Sequence, residues 1–319
     1  MKRRDFLTAI GAGVAAVPTL LRAQTPPQGA APGGRAGGAA GQPAGMPYTP
    51  GTGPKIPRKG RIKQGAFLTT FGDLKMTLED QCREAVRIGL VGFELAQPAS
   101  WPTLKKFGLV CTCAPSTGVT FENGVIHPDT HAATEKAMKA AIDTCSAGGV
   151  ERMITIGGQR RGMSYEQAAE NAVTYFNRVK AYAEDKNVTI AMEIMNTRYP
   201  DNRFGRPDQV FDHWSWGLDV VKRVNSPRIK VLFDIYHVQI ADGDVIARIK
   251  ESLPSISHFH TAGVPGRNEI DETQELNYRL IAQVIADSGF TGPVSHEYRP
   301  SPGKDPIKSL ERCVDIIDV

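Results

Sequence analysis

Four apolar runs in the second half of the chain end on side chains that can hold a metal or move a proton. Val188-Thr189-Ile190-Ala191-Met192 ends in Glu193, with Asn196 just beyond. Ile229 to Phe233 ends in Asp234, and His237 follows where the chain is expected to turn out into a loop. Ile256-Ser257-His258-Phe259-His260 ends in two histidines, and Gly292 to His296 ends in Glu297. Near-continuous hydrophobics of this length read as parallel strands covered on both faces. One such terminus says little, because Asp234 could simply cap the next helix beside a hydrogen-bonded core histidine. Four at matching positions predict that Glu193, Asp234, His260 and Glu297 converge. Three carboxylates facing one point repel, and without a cation at least one stays protonated. A divalent ion relieves this. Three oxygen ligands and one nitrogen suit Mn²⁺ or Mg²⁺, with Co²⁺ able to substitute, whereas a closed structural zinc site would normally use thiolates.

The chemistry follows from those groups. A metal held against a carbonyl and its neighbouring hydroxyl acidifies the C–H between them and stabilises the enediolate that forms. One carboxylate removes the proton, and the same or an opposite one returns it. Return to the adjacent carbon interconverts an aldose and a ketose; return to the other face of the same carbon gives an epimer. Arg267 suits a substrate carboxylate or hydroxyl through its two parallel donors, or is a surface-loop charge. His258 shares a strand face with His260 and reads as a supporting or interior group. His296 faces away from Glu297, and His127, His131 and His213 read as structural. Arg160 and Arg161 could meet an anion but read better as surface charge.

These strand ends need a scaffold that points them to one place. Eight strand-like runs begin at Gln64–Thr70, Phe93–Ala96, Leu109–Ala114 and Met153–Ile156 and continue through the four above. Helical stretches alternate with them: from Thr77, an N-cap with an acidic first turn, to Ile88, then 102–107, 128–147, 164–185, 211–224, 244–252, 278–288 and 307–317. Strict alternation predicts a parallel sheet, and eight such units over residues 60–319 predict closure into a (β/α)8 barrel, whose carboxyl-end mouth houses chemistry. An open dinucleotide-binding sheet would want a Gly-rich turn after its first strand, and Thr69-Thr70-Phe71-Gly72 is not one.

The net charge of the 319 residues is +4, but residues 1–59 hold eight Lys/Arg against Asp5 alone, which leaves −3 for the rest. The basic balance therefore belongs to the leader and linker and excludes a nucleic-acid surface on the domain. Met1-Lys2-Arg3-Arg4-Asp5-Phe6-Leu7 and the apolar run to Leu21 read as a twin-arginine export signal over residues 1–23, cleaved after Ala23 or retained as an anchor. This predicts a periplasmic protein with no stable membrane span after cleavage. Residues 24–59, rich in Gln, Pro, Gly and Ala, read as a disordered tether. Cys82, Cys111, Cys113, Cys145 and Cys313 are odd in number and lack metal-type spacing. They read as core residues, with Cys111 and Cys113 pointing the same way.

Residues 60–319 resemble the xylose-isomerase-like TIM-barrel superfamily of sugar isomerases and epimerases, with the hydroxypyruvate isomerase family as the closest branch. The resemblance rests on Glu193-Ile194-Met195-Asn196, Phe233-Asp234-Ile235-Tyr236-His237-Val238-Gln239, and His258-Phe259-His260 with Pro265-Gly266-Arg267-Asn268-Glu269. Glu275-Leu276-Asn277-Tyr278 and His296-Glu297-Tyr298-Arg299-Pro300 complete it. It implies Glu193, Asp234, His260 and Glu297 as metal ligands, Glu193 and Glu297 as the two proton-transfer groups, and His237 and Arg267 as substrate contacts. His260 stands where the hydroxypyruvate branch often has Gln and epimerase branches have His.

The expected protein is thus a metal-dependent isomerase of a small hydroxycarbonyl compound or sugar, or an epimerase on the same site. An abasic-site endonuclease of this fold would need more histidines and a basic groove. A non-catalytic sugar-binding barrel would be expected to lose Glu193 or Glu297. A homo-oligomer is compatible with the sequence.

Overall fold

The eight apolar runs form β1 Lys63–Ala66, β2 Gly92–Glu94, β3 Val110–Cys113, β4 Arg152–Ile156, β5 Thr189–Glu193, β6 Ile229–Asp234, β7 Ile256–Thr261 and β8 Pro293–His296. This computed structural model describes residues 47, 48, 51, 53–199 and 204–319. The strands pair in parallel in the order β3-β2-β1-β8-β7-β6-β5-β4. The ring closes through Ala114, which bridges to β4: its N–H donates to Arg152 O at 2.9 Å and its carbonyl accepts from Ile154 N–H at 3.0 Å. Around the strands run α1 Leu78–Ile88, α2 Trp101–Lys106, α3 His131–Gly148, α4 Tyr165–Asp185, α5 Trp214–Val224, α6 Ile235–Ala241, α7 Val245–Ser252, α8 Tyr278–Asp287 and α9 Pro306–Ile317. The architecture is the (β/α)8 barrel expected from strict alternation. No described helix is long and apolar enough to cross a membrane.

Local chemistry sets the helix starts. Thr77 and Asp80 form a reciprocal capping box on α1. Ser164, Asn277 and Asp305 each accept a backbone N–H at the start of α4, α8 and α9. The apolar faces of these helices pack on the outward side chains of the strands in one continuous core. A small cluster of Cys113, Ile154, Ala191 and Leu232 lies apart from it.

The structure corrects several boundaries. β1 stops at Ala66, because Leu68–Phe71 coils into a 3₁₀ turn tied by Thr70 Oγ1 to Phe67 O at 2.7 Å. α5 starts at Trp214 rather than Phe211, since the backbone of Val210 and Phe211 is engaged by Gly158 and Met195. The loop expected around His237 is instead α6, which follows β6 without a breaker. Cys111 and Cys113 do not share a side: the register of β2 on β3 slips between Phe93 and Glu94, and the two thiols fall in different clusters. All five cysteines are free and buried.

The leader and most of the expected tether lie outside the described residues. The last part of that tether is not loose. Ile56 N–H donates to Arg87 O at 2.8 Å, Arg58 Nε to Ile88 O at 2.7 Å, and Tyr48 OH to Glu84 Oε1 at 2.8 Å. Arg58 also pairs with Asp315 on α9. Polar partners on the barrel's own helices hold this stretch, a signal that a composition reading of Pro and Gly does not carry.

Candidate active site

The carboxyl ends of β5 to β8 bring Glu193, Asp234, His260 and Glu297 together, with one ligand atom of each inside a 4.8 Å sphere of mutual separations. His260 is the hub. Its Nδ1 lies 3.1 Å from Glu193 Oε1 and 2.8 Å from Glu297 Oε2. Strand pairing fixes this: Asp234 stands opposite His260 in the β6–β7 ladder, and Glu297 N–H donates to Thr261 O at 2.9 Å just past β8.

Asp234 combines the two roles the sequence left open. Its Oδ1 caps α6, accepting from Tyr236 N–H at 2.8 Å and His237 N–H at 3.2 Å. Its Oδ2 is buried with no hydrogen-bond partner. A buried carboxylate oxygen left unsatisfied is costly, and a cation bound beside it would remove that cost. The residues therefore fit a hard divalent ion, with Glu193, Asp234, Glu297 and His260 Nδ1 as donors.

Electrostatics separate the acids. Burial and the Glu297 charge raise Glu193 above the ordinary carboxylate range. Burial, followed by the Glu297 charge, pushes Asp234 up to about 7. Burial also acts upward on Glu297, but Arg267 and His260 outweigh it and hold the carboxyl down at about 2. His260 is held well above the usual imidazole range: burial opposes its charge, and the carboxylates of Glu297, Glu193 and Glu94 override it.

His237 is fully buried, and its ring orientation is fixed. The backbone N–H of Asn196 donates to Nδ1 at 3.1 Å and the Asn196 amide lies 2.7 Å from the same atom. A backbone N–H can only donate, so Nδ1 is the acceptor and Nε2 carries the proton. Burial, with Arg267 nearby, keeps the ring neutral. Nε2 makes no hydrogen bond within the protein and lies 3.5 Å from Asp234 Oδ2.

Arg267 is not a surface charge. Its side chain is 15 % exposed, and Nη2 lies 2.6 Å from Glu297 Oε1 and 3.6 Å from Asp234 Oδ2. His258 is interior, beside Glu94. His296 bonds away from the site, to Thr261 Oγ1 at 3.0 Å and Gln64 Oε1 at 3.1 Å. Arg161 ties loops together through Asp208, Glu122 and Asn123, and Arg160 lies over the Tyr165 ring.

Two residues escaped the sequence reading. Glu94, at the end of β2, is buried beneath His260 with its Oε1 3.2 Å from Nε2. An acid inside an apolar strand was its signal. Arg206 comes from the long β5–α5 loop, its guanidinium 3.6 Å from the centre of the Phe121 ring. Together with Arg267, Glu193 and Glu297 it lines a cavity of about 500 Å³. Burial and the neighbouring Arg267 lower its affinity for a proton, as expected where two cations share a mouth. Nothing in the sequence marks this loop residue. A cavity of about 750 Å³ lies elsewhere, between Pro47, Tyr48, Gly51 and Gly53 and the start of α9, and is lined by none of these groups.

Similarity to known proteins agrees with this geometry. A 2-oxo-tetronate isomerase from Cupriavidus necator is 38% identical over 122 residues, which span 38% of this chain and 44% of that protein. A putative hydroxypyruvate isomerase from Mus musculus is 27% identical over 232 residues, 66% of this chain and 81% of that protein. Among solved structures, an AP endonuclease, family 2, from Brucella melitensis superposes with a TM-score of 0.67 at 24% identity, covering 78% of this chain and 96% of that one. At that identity the likeness is one of fold. The family described as xylose isomerase-like TIM barrel matches residues 100–314, well over half of the chain, and the chain belongs to that family.

Proposed function

We propose that the protein is a divalent-metal-dependent isomerase acting on a small hydroxycarbonyl acid of the hydroxypyruvate or 2-oxo-tetronate type. The observation that carries this reading is the placement of Glu193 and Glu297 against one atom, His260 Nδ1, at 3.1 and 2.8 Å, with opposite proton affinities. A pair of carboxyl groups whose environments push them apart supplies an acid and a base. Two relatives named as isomerases of 2-oxo acids support the same chemistry.

A bound Mn²⁺ or Mg²⁺ would supply Lewis acidity beside a substrate carbonyl, lowering the cost of breaking the neighbouring C–H bond. Glu297, kept ionised by Arg267 and His260, takes the proton. Glu193, whose burial favours the protonated form, gives one back to the adjacent carbon, the substrate's hydroxyl proton passes to the former carbonyl oxygen, and the proton left on Glu297 is exchanged back to Glu193 before the next turnover. His237 donates from Nε2 to a substrate oxygen and stays neutral. Arg206 and Arg267 hold the substrate's carboxylate, a pairing that a neutral sugar would not need. Phe67 packs edge-on to His260, with ring centroids 5.2 Å apart, and lines the same cavity.

A second reading is a ketose 3-epimerase or another sugar epimerase. It is favoured by the same two carboxyl groups, which meet from separate strands and could serve opposite faces of one carbon. We also infer export to the periplasm from the twin-arginine leader, with the metal loaded before export.

The test is to incubate the protein with Mn²⁺ or Mg²⁺ in D₂O, supplying hydroxypyruvate and, separately, neutral ketoses. Formation of the aldehyde isomer from hydroxypyruvate, with deuterium entering the product and turnover lost in Glu297→Gln, supports the isomerase. Inversion of a ketose with no change in its carbonyl position would replace it by the epimerase. Absence of exchange on either would sink both.

A further inference from the structure

We propose that Glu94 is a positioning residue for His260: it accepts the ring's Nε2–H and so keeps the Nδ1 lone pair turned to the metal. The inference rests on the reading of His260 as a metal ligand.

Glu94 is 2 % exposed, yet it lies in the barrel interior below the four converging ligands. Its two oxygens have different partners. Oε2 accepts from Thr112 Oγ1 at 2.6 Å and Ser295 Oγ at 2.8 Å, and lies 3.0 Å from His258 Nε2. Oε1 faces His260 Nε2 at 3.2 Å, on the side of the ring opposite Glu193 and Glu297. The Thr112 and Ser295 hydroxyls both donate to Oε2, so the Glu94 carboxylate stands as an acceptor toward its neighbours, the His260 ring included. The Nε2 of His260 must therefore carry a proton. In a neutral ring that leaves Nδ1 as the lone-pair atom, and Nδ1 is the one among Glu193, Asp234 and Glu297.

The backbone is built to hold this arrangement. The slip in register between Phe93 and Glu94, where Cys111 and then Cys113 are the partners, accompanies the inward placement of Glu94 and Thr112. Gly65, across on β1, makes the space: a Cβ there would come 2.7 Å from Ser295 Oγ and 2.8 Å from Thr112 Cγ2. A purely structural role explains little of this, because replacing a buried ion pair by apolar residues is often neutral or stabilising. A carboxylate behind a metal-bound imidazole fixes the ring's tautomer and raises its basicity, and losing it typically lowers metal affinity by roughly 10–100-fold.

The experiment compares the full chain with its Glu94→Gln variant, titrating Co²⁺ or Mn²⁺ against a chelating indicator. The Co²⁺ visible spectrum and the circular dichroism of the metal-free protein are recorded alongside. Expected is one ion per chain in both, bound roughly 10–100-fold more weakly by the variant, with an altered Co²⁺ spectrum and an unchanged fold. Equal affinity in a folded variant would overturn the inference while leaving the proposed function standing. Failure of the wild-type chain to bind either ion would overturn both. Two ions per wild-type chain, one of them lost in Glu94→Gln at unchanged affinity for the other, would replace positioning by a second site at Glu94, His258 and His260. Should Glu94→Gln not fold, Ser295→Ala removes one of the hydroxyls that hold Oε2. A few-fold loss of affinity there supports the inference, and none overturns it.

Discussion

The guanidinium of Arg267 faces two of the four converging acids at once, with Nη2 2.6 Å from Glu297 Oε1 and 3.6 Å from Asp234 Oδ2. It is the counter-charge that holds the Glu297 carboxylate ionised in a buried place, while burial still raises Asp234. In Arg267→Met, the Glu297 carboxyl should rise from about 2, so the acid limb of the kcat/KM profile moves to higher pH. Loss of one partner of a buried charge pair should lower kcat/KM by roughly 10²–10³-fold. A pH–rate profile of the two proteins checks both parts, and an unmoved acid limb would show that Arg267 only binds substrate.

Arg206 should act on substrate choice. Its guanidinium stacks on Phe121 and shares the cavity with Arg267. Arg206→Met is expected to raise KM for a hydroxycarbonyl acid about 10-fold or more, the scale of one charge-assisted hydrogen bond. The kinetic constants for a neutral ketose, where it is turned over, should barely move. Equal losses on both substrates would argue for a role in loop packing.

Metal binding should be linked to pH through Asp234. Its carboxyl sits at about 7 in the metal-free protein, against an ordinary 3.8, so an ion arriving below that pH must displace a proton. Affinity for Mn²⁺ should rise with pH through about 7 and go on rising above it, because His260, held well above the usual imidazole range, must also give up its Nδ1 proton to the ion. Calorimetry in buffers of different ionisation heat would count the protons released. The metal-free fold responds in the opposite sense. A carboxyl raised in the folded state favours folding below its unfolded value, and that contribution disappears as pH climbs through the folded one. Denaturant midpoints of metal-free protein should therefore decline between about pH 4 and pH 7, set against other titrating groups.

Asn196 should matter through His237. Its backbone N–H and side-chain amide both meet the ring's Nδ1, and its Nδ2 also donates to Phe204 O at 2.8 Å. Asn196→Ala removes the side-chain bonds but leaves the backbone donor. Stability is expected to drop by about 1–3 kcal/mol, the cost of stripping partners from buried polar groups. kcat should fall while metal affinity is retained, and urea unfolding with metal titration separates the two effects. Loss of metal binding would contradict the assignment of His237 to substrate rather than metal.

The second half of the chain was legible because its chemistry sits at strand ends. A strand's apolar run is visible in the sequence, and the residue that ends it is placed by the fold class alone. Glu193, Asp234, His260 and Glu297 needed no information on loops. Arg267 was found through a motif, but its burial was not readable. Arg206 was invisible, because a long loop's path depends on contacts such as Gln209 Nε2 with Phe121 O, 88 residues apart. Glu94 was seen but given no task. Its inward position depends on a slip of pairing between β2 and β3, and alternation within a three-residue strand cannot reveal a slip. α6 was missed for a related reason: no glycine or proline separates Phe233 from Ile235, so nothing in the composition marks a change from strand to helix.

The closure at Ala114 has a mechanical consequence. β5, β6 and β7 are stitched by four-residue ladders, while β3 and β4 meet at a single bridge. If the ring opens, it opens there, as a clasp does, and the arc from β5 through β8 stays laced. Three of the four converging ligands leave directly from that arc's strands, and Glu297 follows β8. The thinnest seam of the ring thus lies outside the run of strands that carries its chemistry, with β4 standing between it and Glu193.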